Sequence, residues 1–303
     1  MIQYNKKALR ELRYNEKPIY SFVVKSPEVY SNIDWATVES FGEEWSKFSE
    51  FSDDEIKIAG DEYFDIISKR MLTEDSIVLD VGCGAGRWSK YLDGKVKFVE
   101  AIDPSEAVYP AMGLLKNSNC RVTQASVDDI PFDDDSFDFV FSLGVLHHIP
   151  DTADALKKCV QKLKKGGHFM VYLYYNMDNR NRLYKLFFSI SNSIRLIVHK
   201  MGSGGKKTVC DLIATLVYLP LAKFAWITMK LGLKKIARLL PLYNYHDKTF
   251  RLMRNDALDR FGTPLEQRFT REEITQMMRD AGLSDITFSS REPFWHAVGT
   301  KGG

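Results

Sequence analysis

From Ser76 onward, short apolar runs alternate with amphipathic ones. "SIVLDVG" (76–82) is an apolar run stopped by glycine, the pattern of a strand buried on both faces. "RWSKYL" reads as a helix, "VKFVEAIDP" as a second strand, "AVYPAMGLLKNS" as a helix and "RVTQASV" as a third strand. "FDFVFSLGVLHHI" is a fourth strand running into a loop. "TADALKKCVQKLKKGG" is an amphipathic helix closed by glycines, and "HFMVYLYY" is a fifth strand. The alternation breaks at Asn176 and resumes with "FTREEITQMMRDAGL", a helix in which Thr270 and Glu273 fit a capping box. "SDITFSS" and "FWHAVGT" are the last two strands. Strand alternating with helix predicts an α/β fold: a doubly wound, mostly parallel, seven-stranded sheet with a helical insertion after strand five. Right-handed crossovers bring the strands' C-terminal ends to one edge, where ligands bind near the switch point.

The boundaries follow from this pattern. Residues 1–70 are mixed and rich in aromatics. Phe41, Trp45 and Phe48 fall at helical spacing in "FGEEWSKF", and "DEYFDIISKRML" continues as helix, so an N-terminal helical segment is expected. The core spans 71–175 and 269–303, and residues 176–268 form the insertion.

Composition is ordinary for a globular chain, 45% hydrophobic and 27% charged, with room for a substantial core. The net charge of +2 hides an asymmetry. Arg180 to Arg238 holds twelve Lys/Arg and one acid, Asp211, hence +11, against −9 for the remainder. Cys83, Cys120, Cys159 and Cys210 show no CxxC spacing, so neither a zinc site nor a disulfide framework is expected, and free thiols in a reducing cytoplasm are. The N-terminus carries no apolar run of the signal-peptide kind.

"LDVGCGAGRW" places Gly82, Gly84 and Gly86 after a buried strand and at the opening of a helix. Glycines there let the backbone approach a ligand that a side chain would block. Asp103 ends strand two, twenty-one residues past Gly82, where a carboxylate can accept both hydroxyls of a ribose diol. A nicotinamide loop would favour GxGxxG, and here the third glycine comes one position early. The whole series resembles the class I S-adenosylmethionine-dependent methyltransferases, in their small-molecule branch, over residues 76–175 and 269–300. The resemblance implies a Rossmann-like fold and S-adenosylmethionine as cofactor. It implies that Asp80, Gly82, Gly84 and Gly86 cradle the methionine part, with Ser142 nearby, and that Asp103 holds the ribose. The family often places an Asp where this chain has Ser126, so the adenine would be met by Ser126, the backbone at Val127, and Asp128. The "FGEEW" helix would close over the cofactor, with Phe41 and Trp45 as its cover.

The sulfonium is an activated electrophile, so the protein's task is alignment, with a base only where the nucleophile must lose a proton. His147 and His148, in the loop after strand four, are the candidate bases, because imidazole titrates near neutrality. Tyr174, ending strand five with Tyr175, is a further catalytic candidate at the same edge. The loop "SLGVLHH" lacks the Asn/Asp-Pro-Pro-aromatic motif of enzymes that methylate exocyclic base amines, so a nucleic-acid acceptor is not expected. No metal ligand set is expected.

The insertion is apolar and basic. "LIATLVYLPLAKFAWITM" (212–229) has a single charge, Lys223. A span needs about 20 apolar residues, and this stretch falls short and contains Pro220, so a membrane span is not expected. Three roles stay open: a cap lying on a membrane surface through 180–240, a cap buried internally or in a dimer, or a basic face on RNA phosphate. The expected function is transfer of a methyl group, chiefly to oxygen, on a small or lipid-linked acceptor by a cytoplasmic enzyme, peripheral at the inner membrane face if the cap binds lipid. Alternatives are N- or C-methylation of a soluble metabolite, a non-catalytic cofactor-binding protein, and a nicotinamide oxidoreductase. The oligomeric state is left open.

Overall fold

The structure, a computed structural model, describes residues 2–26, 32–47, 51–177, 182–291 and 294–302. Phe48 and Arg180 lie outside the described residues. In chain order the elements begin with a hairpin, β1 (Arg10–Tyr14) and β2 (Lys17–Ser21), and two helices, α1 (Trp35–Lys47) and α2 (Asp53–Tyr63). Alternation follows: β3 (Ile77–Val81), α3 (Arg87–Leu92), β4 (Phe98–Asp103), α4 (Val108–Leu114), β5 (Cys120–Gln124), β6 (Phe137–Leu143), α5 (Thr152–Gln161) and β7 (Leu163–Tyr172). Then come α6 (Arg182–Val198), α7 (Ser203–Ile213), a π turn (Ala214–Tyr218), α8 (Leu219–Lys230), α9 (Lys234–Ala237) and α10 (Phe250–Gly262). The chain ends with α11 (Arg271–Asp280), β8 (Leu283–Phe288) and β9 (His296–Lys301). Contacts divide it into two units, Met1–Asp178 with Leu265–Gly303, and Asn179–Pro264.

In the first unit one sheet has the order β1-β2-β5-β4-β3-β6-β7-β9-β8. β5, β4, β3, β6 and β7 are parallel, while β9 runs antiparallel to β7 and to β8. The order reverses between β3 and β6, so their C-terminal ends open the crevice in which such sheets bind ligands. Val78, Leu79, Val99, Ile102, Phe139 and Phe141 are sealed between the helical layers, which explains the continuous apolar runs.

Among the described residues the sheet has nine strands where seven were expected. The N-terminal segment, expected to be helical, opens with the β1–β2 hairpin, and β2 joins β5 in parallel (Tyr20↔Thr123). Its turn holds Asn15 and Glu16 at positive φ, 46° and 66°, where a glycine is the usual sign of such a turn. The helix expected over 61–72 lies earlier, over Asp53–Tyr63, begun by a capping box of Ser52 and Glu55. The helix expected over 152–167 stops at Gln161, because Leu163 already pairs with Phe137. Gly166 (φ +75°) and Gly167 then sit where the β6–β7 register shifts, and a Cβ on Gly167 would meet Asp138 O at 2.9 Å. The capping box of Thr270 and Glu273 starts α11 as expected.

In the second unit, Gly204–Lys230 is one 27-residue helix with a mean hydropathy of 1.6 over its most apolar window, long and apolar enough by length and composition to cross a membrane. This corrects the sequence argument from length: the helix starts eight residues before Leu212, and Pro220 stands at its tolerated place in the first turn of α8. Val198, Cys210, Ala214, Tyr218, Met253 and Ala257 build a separate small core. Asp211 takes a bidentate pair from Arg254, at 2.8 and 2.7 Å.

One buried ion pair braces β4 against β5 in the first unit. Glu100, fully buried, accepts from Arg121 Nε at 2.8 Å and Nη2 at 2.7 Å. Removing one partner strands the other charge in a poor solvent. Arg121→Ala should therefore cost about 3–5 kcal/mol in urea denaturation; a loss below about 1 kcal/mol would show that water reaches Glu100.

Candidate active site

The glycine loop leaves the C-terminal end of β3 and enters α3. Gly82, Gly84 and Gly86 all have positive φ (78°, 54° and 85°). At Gly82 a Cβ would collide with the Val145 side chain at 2.5 Å, and at Gly84 it would press on the Trp45 indole at 3.2 Å. Gly86 is the N-cap of α3 and packs on Leu115. The loop thus needs glycine for conformation and for closeness at once.

Two carboxylates stand at this edge. Asp103 Oδ2 accepts from Gly84 N at 2.9 Å, and Oδ1 accepts from Ser105 N at 2.9 Å and Ser105 Oγ at 2.6 Å. Oδ1 is thereby saturated, and Oδ2 keeps one lone pair beyond these bonds. Burial raises its pKa above the ordinary range. Asp80 is deeper. Its Oδ2 accepts from Ser89 Oγ at 2.7 Å, while its buried Oδ1 has no hydrogen-bond partner among the described residues. Burial, with the Asp103 charge adding to it, pushes Asp80 up to about 7. A buried orphan acceptor beside a loop that no side chain can fill suits a ligand bearing an ammonium group and a diol. S-adenosylmethionine carries both, so these residues fit it.

The other sequence candidates divide. Ser126 is buried and its Oγ caps the following 3-10 turn by accepting from Asp128 N at 3.1 Å. Val127 is buried in that turn. The Asp128 carboxylate is committed to Lys158 Nζ at 2.7 Å and Asn32 N at 3.0 Å, which weakens its case as an adenine contact. The Ser142 hydroxyl donates its proton to Val81 O at 2.8 Å, a tie across the β3–β6 crevice rather than a hand toward a ligand.

His147, His148 and Tyr174 do come together. The His147 ring stacks on Tyr174 at 3.9 Å and lies 4.1 Å from His148. His147 is fully buried, and neither ring nitrogen has a hydrogen-bond partner among the described residues. Desolvation, then the neighbouring His148, holds its pKa well below the ordinary value, so the expectation of a base titrating near neutrality does not hold for His147. His148 differs. Its Nδ1 lies 2.7 Å from Leu265 O. A carbonyl only accepts, so Nδ1 carries the proton and the lone pair of the neutral ring is on Nε2. Phe41 of α1 packs on this ring at 4.8 Å, and Trp45 of the same helix lies on Gly84.

Sequence reasoning missed the segment 265–269, which, but for Phe269, it assigned to the insertion. Leu265 N donates to Thr37 Oγ1 at 3.1 Å, Gln267 N to His147 O at 2.9 Å, and Phe269 N to Tyr174 O at 2.9 Å. The Arg268 guanidinium stands 5.0 Å from the Tyr174 ring and pairs with buried Glu266 at 2.9 Å. The readable signal was charge: "LEQRF" sets a Glu and an Arg two residues apart just before a capping box. No group of three or more His, Cys, Asp or Glu able to hold a metal occurs among the described residues.

The Asp80 shift has a signed consequence. A carboxyl raised from 3.8 to about 7 is favoured in its neutral form by folding, so its contribution is complete below about pH 4 and lost as pH rises to about 7. The ligand-free protein should lose on the order of 4 kcal/mol of stability over that interval from this group. Asp80→Asn should flatten the slope in urea denaturation at pH 4 to 8. Parallel slopes in the two proteins would sink the assignment.

Comparison with known proteins agrees with this geometry. Residues 79–171 match the model of the methyltransferase domain family, Methyltransf_11. The tRNA U34 carboxymethyltransferase of Nautilia profundicola is 33% identical over 112 residues, 36% of this chain and 37% of that protein. The ubiquinone biosynthesis O-methyltransferase of Marinobacter nauticus is 32% identical over 111 residues, 35% of this chain and 47% of that protein. The chain thus spans less than half the length of these curated relatives, and their names point to different acceptors. A chain from the Haloferax volcanii complex between the Trm112 methyltransferase activator and a methyltransferase has the same fold, with TM-score 0.50 at 17% identity, covering 88% of this chain and 99% of that one. The glycine loop, Asp80 and Asp103 all lie within the stretch, residues 79–171, that matches the methyltransferase domain family, and that stretch is a methyltransferase domain.

Proposed function

We propose that the chain transfers a methyl group from S-adenosylmethionine to a hydroxyl oxygen of a small or lipid-linked acceptor. The observation that carries the oxygen reading is the His148 tautomer, fixed by the 2.7 Å bond from Nδ1 to Leu265 O. A hydroxyl must lose its proton as it attacks, and an imidazole with its lone pair on Nε2 can take it. When bound, the cofactor supplies the methyl group on an activated sulfonium. The chain's own residues do the rest. Asp80 meets the ammonium group, Asp103 accepts from the ribose while holding Gly84, and the turn at Ser126 and Val127 borders the adenine. His148 moves the proton. His147 and Tyr174, stacked together, position that ring, and α1 with Phe41 and Trp45 excludes water. An apolar, cationic second unit supports a lipid-linked acceptor, whose glycan hydroxyls would be the nucleophile.

Asp103→Ala should weaken S-adenosylhomocysteine binding by roughly one to two orders of magnitude, the worth of one hydrogen bond to a charged group, with unfolding still cooperative. Near-normal affinity by calorimetry would remove the ribose assignment. Incubation of the protein with methyl-labelled S-adenosylmethionine and a total cell extract tests the acceptor. Label should enter the organic phase on chloroform–methanol partition, and His148→Ala should lower its rate by about 100-fold or more while cofactor affinity stays within about threefold. Label confined to the aqueous phase gives the soluble-metabolite reading, and nuclease-sensitive label gives an RNA acceptor.

A further inference from the structure

The helices of the second unit are inverted. In α6 a charged residue faces in: Arg195 is buried, donating to Thr263 O and Pro264 O at 3.0 Å each and to Asn192 Oδ1 at 3.0 Å. The outward stripe of the same helix is Leu186, Ile190, Ile194 and Ile197, the last 69% exposed. The long helix Gly204–Lys230 repeats the inversion. Its inward line is mostly small: Cys210, Ala214, Ala222, Ala225 and Thr228 are buried. Its outward line is Leu212, Leu216, Phe224 and Ile227, with Leu216 70% exposed. Residues α9 and its flanks continue the pattern, with Leu233, Ile236 and Leu239 exposed. Single exposed leucines need no explanation, but contiguous apolar stripes on neighbouring helices of one small unit mark a contact surface.

Charge selects the occupant. Lys200, Lys207, Lys223, Lys230, Lys234 and Lys235 are exposed, and among the described residues none has an ion-pair partner, while Asp211 is taken by Arg254. Across a two-fold axis in a second copy, these cations would face each other and repel. A lipid surface bearing anionic headgroups answers both features, accepting the apolar stripes into its acyl boundary and the lysines at its phosphates. Lys230 already lies 5.2 Å from the Trp226 ring, an amphipathic pair of the kind found at bilayer interfaces.

We propose that Asn179–Pro264 is a membrane-docking unit that lies in the interface of an anionic bilayer with these outward stripes immersed. The proposal goes beyond the methyl-transfer reading and stands on this unit alone. Lying in the interface is favoured over spanning, although Gly204–Lys230 is long enough to cross. Its inward line packs in one core with Met253, Ala257 and Phe261 of α10, a helix that carries Arg251, Arg254, Asp256, Asp259 and Arg260. A crossing helix would draw those charges into the hydrocarbon, whereas an interfacial one immerses a single face by roughly 5–10 Å.

The test is flotation of the full chain with vesicles of phosphatidylcholine alone and of phosphatidylcholine with phosphatidylglycerol at 3:1, at low and high salt, with S-adenosylhomocysteine affinity measured on every sample. We expect co-flotation with the anionic vesicles, weakened by salt, and a blue shift of tryptophan emission that Trp226→Phe removes without ending binding. Changing Lys223, Lys230, Lys234 and Lys235 together to Gln should lower the partition coefficient several hundred-fold at low salt, at roughly fivefold per cation. Phe224→Ser with Ile227→Ser should abolish flotation while cofactor affinity is kept, a result no general misfolding would give. Absence of flotation with either vesicle overturns the proposal. A dimer that these two serines disperse, with no vesicle binding, overturns it in favour of a second copy. Equal, salt-independent binding to both vesicles overturns the electrostatic part. If flotation holds and S-adenosylhomocysteine does not bind, it is the methyl-transfer reading that fails.

Discussion

The carboxylate of Asp103 is the fixed point of the first unit. Through one oxygen it holds the amide of Gly84, and through the other the amide and hydroxyl of Ser105. The first bond reaches across from the end of β4 to the loop leaving β3. A glycine loop is floppy by composition, since glycine loses more freedom on ordering than any other residue. It becomes a defined cradle only if something stronger than its own preferences fixes it. A buried carboxylate accepting from backbone amides is such a restraint, because charge-assisted bonds gain in a poor solvent. The same group that would recognise a ribose therefore also builds the wall against which it is recognised.

Around that point the unit brings together segments far apart in sequence. α1 lays Phe41 on His148 and Trp45 on Gly84. The segment 265–269 fixes the histidine loop by main-chain bonds to His147 and Tyr174 and by the Leu265 carbonyl on His148. Two neighbouring histidines in one turn thus acquire different chemistry: one buried, stacked and held neutral, the other locked in a single tautomer. Environment, and not residue type, separates their roles.

Much of this was legible in the chain. The strands from Ile77 to Tyr172 announced themselves because a strand buried on both faces must be apolar throughout, and the glycine spacing with Asp103 announced the cradle. The β1–β2 hairpin did not, because "RELRYNEKPIYS" is an edge pair with charges on its open side and a turn built from Asn15 and Glu16 without glycine. The division between His147 and His148 was invisible because it comes from Leu265, more than a hundred residues away. The inversion of α6 was hidden for a similar reason: Arg195 reads as a surface residue until its partners, the carbonyls of Thr263 and Pro264, are in place.

The π turn at Ala214–Tyr218 has a consequence for how the insertion can change over evolutionary time. Cys210, Ala214, Tyr218 and Ala222 recur every fourth residue, a spacing that drifts by about 40° per step in a regular α-helix. The wider turn absorbs that drift and keeps the four in phase. Loss of a single residue from it would let the π turn close into an ordinary α turn and leave the downstream phase nearly unchanged, whereas loss of one from the regular α turns would rotate everything downstream by about 100° and carry Phe224 and Ile227 off the outward line. This helix therefore has a protected reading phase with one place of tolerance: one-residue deletions should be found at 214–218 and be rare elsewhere along it.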